Sequence, residues 1–235
     1  MMELLGLLAW GPDGWGDELA EGLWVTVQLS LATLPLGLVL GLLVAVARDS
    51  GEPSLVLAGD IFTTIFRGLP ELLTLFLVYY GLQMLYQRVA EQLGAGPVEL
   101  SGFIAGMLAL GVVFAAFASE AFLSAFRAIS AGQYEAGYAL GLSPLNVFRL
   151  IILPQLIRLS LPALGNLWLV LIKTTSLVSV IAYDDLLRKT NIAVGVTKEP
   201  LFFYSVACLL YLALAVMSSG VLGTLEARLQ RGEKA

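Results

Sequence analysis

Five stretches of the chain are apolar for about the length a bilayer requires, roughly 20 residues for a helix. They run from Leu23 to Ala47, Leu69 to Tyr86, Gly102 to Phe126, Leu161 to Tyr183 and Leu201 to Leu225. Pro35 interrupts the first, which a membrane helix tolerates when its neighbours satisfy the freed carbonyl. Ser54 to Phe66, broken by Asp60, is amphipathic instead and is read as interfacial or as a short extension of the span that follows. The polar positions gather at the ends of the apolar runs, and three ionisable side chains, Glu71, Glu120 and Lys173, sit in or beside them. The pattern predicts an all-α integral membrane protein of about five transmembrane helices.

One polar interval has internal order of its own. "GQYEAGYAL" predicts a helix from Tyr134 to Leu140. Gly141 suits the left-handed position that ends a helix, with Leu142 placed for the hydrophobic contact that follows. Ser143 offers an N-cap oxygen, and Pro144 suits the first position of a new helix. The local chemistry writes helix, tight turn, helix. Leu140, Leu142, Leu145 and Phe148 give that corner an apolar surface. From this pattern alone it is either a loop lying on its own bundle or a docking knob for a soluble partner.

Composition agrees with the spans. Of the 235 residues 58% are hydrophobic and 13% charged, with mean hydropathy +0.87. Soluble domains average roughly 45–50% apolar and about 25% charged. The net charge of -5 is spread over the span ends and marks no nucleic-acid surface. The lone Cys208 is read as packing in an apolar run, and it has no intrachain disulfide partner. With no His in the chain, the usual zinc sites and the Ser-His and Cys-His nucleophile pairs are excluded. No Walker-type phosphate loop occurs, so no ATP site of that kind is expected here.

Five spans put the termini on opposite sides. With the N-terminus outside, Arg48, Arg67, Arg127, Arg149, Arg158, Arg228, Arg231 and Lys234 are cytoplasmic, against Arg88, Arg188, Lys189 and Lys198 outside. Eight against four favours N-terminus out and C-terminus in. The expected organisation is a periplasmic segment over residues 1–22, a single transmembrane domain over 23–225 with the corner in a cytoplasmic loop at about 127–154, and a cytoplasmic tail over 226–235. Trp10 and Trp15 fit a headgroup-level position, and the N-terminal stretch lacks the positive region of a signal peptide.

The corner also resembles the signature of permease subunits of bacterial ABC importers. That signature is Glu-Ala-Ala, three residues, Gly, nine residues, Ile, one residue, Leu-Pro. Glu135, Ala136, Gly141, Ile151, Leu153 and Pro154 fall at its positions, and Gly137 departs from it where Ala is usual. "FRGLPELLTLFLVYYGLQ", "FASEAFLSAFRAISAGQYEAGYALGLS" and "LIKTTSLVSVIAYDDLL" are similar to the polar amino-acid branch, and the resemblance runs from about Leu23 to the C-terminus. It implies a multi-pass inner-membrane permease that does no covalent chemistry, paired with a second permease subunit, a heterodimer being favoured over a homodimer. It also implies an ATPase subunit that holds ATP and magnesium, and a periplasmic or lipid-anchored amino-acid-binding protein. In such a complex Glu135, Ala136, Gly141, Leu142, Ser143 and Pro144 form the coupling helix seated in the ATPase.

The resemblance assigns the remaining charges without closing their alternatives. Glu71 follows Arg67, Gly68 and Pro70, as in arginine, histidine and opine members. It is either a carboxylate at a helix N-terminus, favoured there by the macrodipole, or a cavity group attracting a cationic substrate. Glu120 and Lys173 are either ion-pair members, within the protomer or across a dimer, or pathway groups. Thr175 and Ser176 beside Lys173 offer hydroxyls across helices, and Thr174 stands where many relatives carry Asp. Arg67 with Gly68 is a snorkelling anchor and part of an inner gate. Asp184, Asp185, Arg188 and Lys189 form either a face for the binding protein or a solvated loop. The implied substrate is a basic amino acid or an opine, with neutral and acidic amino acids left open. A secondary transporter or channel, a membrane enzyme and a structural scaffold are the competing classes. The first lacks an internal repeat and leaves the signature unexplained, the second lacks a His and any Ser or Cys beside a base, and the third leaves the capped corner unexplained.

Overall fold

The structure, a computed structural model, describes residues 2–12, 14–94, 101–181 and 183–231. Lys234 and the end of the tail, residues 232–235, lie outside the described residues. A short α1 (Met2–Gly6) precedes the long α2 (Gly16–Asp49). Then come α3 (Pro53–Gly68), α4 (Glu71–Gln92), α5 (Gly102–Ala128), α6 (Ala131–Ala139) and α7 (Pro144–Val147). A π-helical turn (Phe148–Ile152) leads into α8 (Leu153–Thr174), and a 3₁₀ stretch (Thr175–Ile181), α9 (Leu186–Thr197) and α10 (Pro200–Arg231) complete the chain. No strand occurs among the described residues.

Among the described residues four helical segments are long and apolar enough to cross a bilayer, and the pair α3–α4, bent by 113°, makes a fifth if it counts as one span. The expected second span, Leu69 to Tyr86, therefore needs correction: α4 qualifies only together with α3. Pro70 sets the bend. It forces Leu69 into an extended conformation (φ -87°, ψ 145°) and ends α3 there. The fourth span also differs, because the helix does not begin at Leu161 but runs from Pro144 to Ile181. Pro154 has no N–H to donate to the turn before it, and the wider π turn over Phe148–Ile152 carries the helix through.

The core is built on α5, buried along most of its length. It packs most intimately on α2, whose buried positions are largely small or hydroxylic: Gly22, Thr26, Ser30, Thr33, Gly37 and Gly41. A Cβ on Gly37 would stand 2.5 Å from Phe114, and one on Gly41 would stand 3.0 Å from the Ala115 carbonyl. With no hydrophobic force between helices in lipid, such small-residue seams let backbones approach and gain dispersion contact. The hydroxyls in the seam are satisfied by their own helix: Thr26 donates to the Gly22 carbonyl at 3.0 Å, Ser30 to Thr26 at 2.8 Å and Thr33 to Leu29 at 2.7 Å.

The two ends of the bundle differ. At one, the N-terminal segment, the start of α2, α9 and the start of α10 close around Leu19, Leu186, Ala193 and Phe203. Trp15 meets Phe203 edge to face at 6.5 Å, while Trp10 is exposed. At the other end, α6 and α7 fold against the end of α5, where Phe126 stacks on Phe148 at 6.4 Å. Cys208, read from the sequence as packing, is exposed instead: the apolar run has an outward face, and the cysteine lies on it.

Candidate functional site

The corner has the geometry its capping residues predict. Gly141 takes φ +75°. Its N–H donates to the Tyr138 carbonyl at 2.9 Å, and the Leu142 N–H donates to the Gly137 carbonyl at 3.2 Å. These two bonds form the Schellman closure, which satisfies carbonyls that the helix end leaves free. Ser143 then caps α7, its hydroxyl oxygen accepting from the Asn146 N–H at 3.4 Å, and Pro144 opens the new helix. The first helix is Ala131–Ala139, a register slightly N-terminal to the expected Tyr134 to Leu140.

The apolar surface of the corner is narrower than the sequence suggests. Leu140 and Leu145 are 78% and 72% exposed, but Leu142 and Phe148 turn inward onto the core. The Schellman contact draws Leu142 in, and the aromatic stack draws in Phe148. Tyr138 joins the exposed side. Glu135 and Ala136 are exposed on α6, the carboxylate free of any ion pair among the described residues. Gly137 has a packing role the sequence did not reveal. A Cβ there would lie 2.8 Å from Val147 Cγ2 and 2.9 Å from Ile151 Cδ1, so this glycine lets α6 close on the following helix.

Above the corner, four charges from three helices form one network. Arg48, at the end of α2, donates to Asp60 of α3 at 2.8 Å and to Glu120 of α5 at 2.8 Å. Arg67, at the end of α3, donates to the same Glu120 oxygen at 2.7 Å, with its guanidinium 5.6 Å from the centre of the Phe117 ring. Gly59 makes the crossing possible, since a Cβ there would stand 2.3 Å from Arg48 Cγ. Glu120 is thus an ion-pair member within the protomer and also borders an open cleft of about 410 Å³ between α5 and α8. Ser124 and Asn166 border that cleft too. Arg48, Asp60, Ser124 and Asn166 were missed by sequence reasoning. Only Asp60, an acid inside an amphipathic apolar stretch, offered a signal.

Glu71 opens α4, in its first turn, and also lines a cavity of about 30 Å³ with Leu75, Phe117, Leu171 and Thr174. Glu71 is thus a first-turn carboxylate that also borders a small cavity. The cavity is the size of about one water and far below the roughly 300 Å³ of the smallest usual ligand pockets. Gly68 lies one residue before the Leu69–Pro70 bend, with open space around its α-carbon. Lys173 is exposed on α8, two turns beyond Asn166 on the same stripe, without an ion pair among the described residues. Thr175 is buried and donates to the Ile172 carbonyl at 2.7 Å, and Ser176 donates to Lys173 at 2.7 Å, so both hydroxyls serve the transition from α8 to the 3₁₀ turn.

At the opposite end, the Asp184–Lys189 segment is neither a solvated loop nor a free charged face. Asp185 is buried and caps α9, accepting from the Arg188 N–H at 2.9 Å. Burial pushes its carboxyl up to about 7, against the opposing pull of the backbone N–H donors. Lys189 is paired with Glu18 and with Glu21, the latter at 2.9 Å. Burial opposes the charge on its ammonium, but those two carboxylates outweigh it and raise its pKa. Only Asp184 remains exposed.

Among the described residues no group of three or more Cys, Asp or Glu is placed to hold a metal ion. A bundle of four or five spanning-length helices with a capped corner at one end fits a subunit of a membrane transport system. The chain belongs to the family of binding-protein-dependent transport system inner membrane components, whose model matches residues 36–231. It is a non-catalytic inner-membrane permease component.

The chain is 37% identical over 232 residues to the octopine transport system permease protein OccQ of Rhizobium radiobacter, covering 98% of each chain. It is 39% identical to the nopaline transport system permease protein NocQ of Agrobacterium fabrum (strain C58), covering 92% of each. It is 35% identical to the histidine/lysine/arginine/ornithine transport system permease protein HisQ of Escherichia coli (strain K12), covering 94% of this chain and 97% of that one. Among solved structures it is similar to an amino acid ABC transporter crystallised with histidines, at TM-score 0.76 and 29% identity, covering 91% of this chain and 95% of that one. The inward-facing MetNI methionine transporter shares the fold at TM-score 0.72 and 19% identity, covering 90% and 95%.

Proposed function

We propose that this chain is one permease half of an ATP-driven importer for basic amino acids or opines, working by alternating access. The observation that carries this reading is the corner: a helix end closed by two backbone bonds, a capped helix start, and two outward leucines. A segment so tied moves as one body, as a lever seated in a separate ATPase must. That ATPase holds the ATP and magnesium. The orientation with the corner in the cytoplasm rests on the Lys and Arg distribution, and it places the α9 end outside, toward a binding protein.

A second permease subunit completes the pathway. Lys173 is exposed on a spanning helix, and the cleft bearing Glu120 and Asn166 opens to one side. Bare charge facing lipid is costly, so a protein face or a water-filled pathway belongs there. A heterodimeric partner is favoured by the resemblance to the basic amino-acid branch. The basic substrate is supported by the acids Glu71 and Glu120 and by the substrates for which its relatives are named. Glu71, Lys173, Thr175 and Ser176 line the pathway in its open state, and Arg67 with Gly68 gates it at the α3–α4 bend.

The test is uptake of labelled arginine, lysine, histidine, glutamine and glutamate into vesicles holding the reconstituted complex, with binding protein outside and ATP inside. ATP-dependent uptake confined to cationic amino acids is expected. Glutamine or glutamate uptake would contradict the substrate, and uptake without the ATPase would contradict the mechanism.

A further inference from the structure

Between α2, α8 and α10 the helices leave a groove of about 470 Å³ open to the outside of the bundle. Its lining is apolar: Leu38 from α2, Leu161, Gly165 and Trp168 from α8, Leu222 and Leu225 from α10. At Gly165 α8 lies in ordinary contact with α10, the position for a Cβ being 3.5 Å from Leu222 Cδ1. On α8 the lining positions step by three and four residues, and Arg158 continues that stripe one turn before Leu161. On α10 the stripe through Leu222 and Leu225 continues to Arg228. The two helices run antiparallel, so both arginines leave the groove at the same end, the end that carries the corner, about one 5.4 Å turn beyond its apolar lining.

Among the described residues neither guanidinium group has a partner. The Arg158 Nε is buried with no hydrogen-bond partner, and neither arginine forms an ion pair among the described residues. Glu226 reaches the lining itself, its Oε1 3.6 Å from the position of a Gly165 Cβ, and the two arginines beyond the lining outnumber it. A buried donor without a partner is costly. An apolar slot that ends in two free guanidinium groups, one of them at the end of the α10 span, has the shape and charge of one amphiphile. Its tail is a hydrocarbon chain and its head an anion that accepts forked hydrogen bonds.

We propose that this groove binds an anionic phospholipid, with one acyl chain against Trp168 and Leu222 and the phosphate between Arg158 and Arg228. The planar guanidinium fork suits phosphate oxygens better than an ammonium does. A zwitterionic lipid brings its own cation to the same place and gains less. The site lies outside the α5–α8 cleft and does not depend on which substrate is carried.

The experiment is native mass spectrometry of the purified transporter complex in detergent, with phosphatidylglycerol or phosphatidylcholine of identical acyl chains added. The wild-type complex is expected to retain phosphatidylglycerol with a preference of about 30-fold, two arginines each contributing at the membrane surface. In Arg158→Gln/Arg228→Gln the preference is expected to fall to near parity, while Arg127→Gln, a basic residue off the groove, keeps it. Equal retention of the two lipids by the wild type overturns the site, as does undiminished preference in a folded double variant. If the double variant does not assemble, phosphatidylglycerol carrying a photoreactive acyl chain is applied to the wild type. Labelling of the peptides that carry Trp168 or Met217 supports the site. Labelling only elsewhere, or a groove covered by a second copy of the chain, overturns it.

Discussion

Arg67 donates to the same carboxylate oxygen of Glu120 that already accepts from Arg48, at 2.7 and 2.8 Å. One acid on the central helix therefore holds the ends of both α2 and α3, and with them the elbow at Leu69–Pro70. Glu120→Gln keeps the shape and removes the charge. A hydrogen bond to a charged group contributes about 1.5–3 kcal/mol, and partial exposure of Glu120 places the loss at the low end. A lower thermal midpoint of the detergent-purified complex is expected. Adding Arg67→Gln should cost less than its effect alone, because the two residues share one interaction. Additive losses would mean that the pair is uncoupled.

Gly137 tests whether the corner is held by packing or by helix propensity. Alanine would add about 1 kcal/mol of helix propensity, but its methyl group would press on Val147 and Ile151 at under 3 Å. Overpacking of this kind costs about 1–3 kcal/mol. Gly137→Ala is expected to lower stability by about 1 kcal/mol despite the better helix former. Gly137→Ala/Val147→Ala is expected to be more stable than the sum of the two single changes implies. Thermal midpoints of the four proteins check the cycle.

Asp185 gives the α9 end of the bundle a pH dependence. Its carboxyl is raised from 3.8 to about 7 in the folded protein. Between those values the folded form holds a proton the unfolded chain has released, so stability falls as pH rises through the window. Below about 4 both forms are protonated and above about 7 both are ionised, and the dependence levels off. Asp185→Asn retains a capping oxygen and cannot ionise. Its midpoint minus that of the wild type is expected to grow from pH 4 to pH 7. A difference that shrank over this range would contradict the buried acid.

The spans and the corner were legible because their signals are local. Gly141, Ser143 and Pro144 are chemically committed to a turn and a cap whatever surrounds them. The five apolar runs need only composition and length. What could not be read is long-range. Arg48 and Glu120 are 72 residues apart in the chain, and nothing near either names the other. Leu142 and Phe148 looked like partners of the exposed Leu140 and Leu145 until tertiary packing turned them inward. Gly137 read only as a departure from the usual Ala because its reason, a close approach by Val147, lies on the next helix. Asp185 and Lys189 read as loop charges because their partners, burial and the start of α2, are equally remote. The α3–α4 bend was half legible: Pro70 marks a break, but not its angle.

In the proposed mechanism the corner acts as a rigid lever. Gly141 sits at φ +75°, where a β-branched residue is strained by about 1–2 kcal/mol or more. The most direct measurement is ATP hydrolysis and arginine uptake recorded together in proteoliposomes holding the wild-type complex or Gly141→Val. The account predicts that the variant assembles and hydrolyses ATP while uptake per ATP falls at least tenfold, with Gly141→Asn, which tolerates the left-handed conformation, close to wild type. An unchanged ratio of uptake to hydrolysis in assembled Gly141→Val would contradict it.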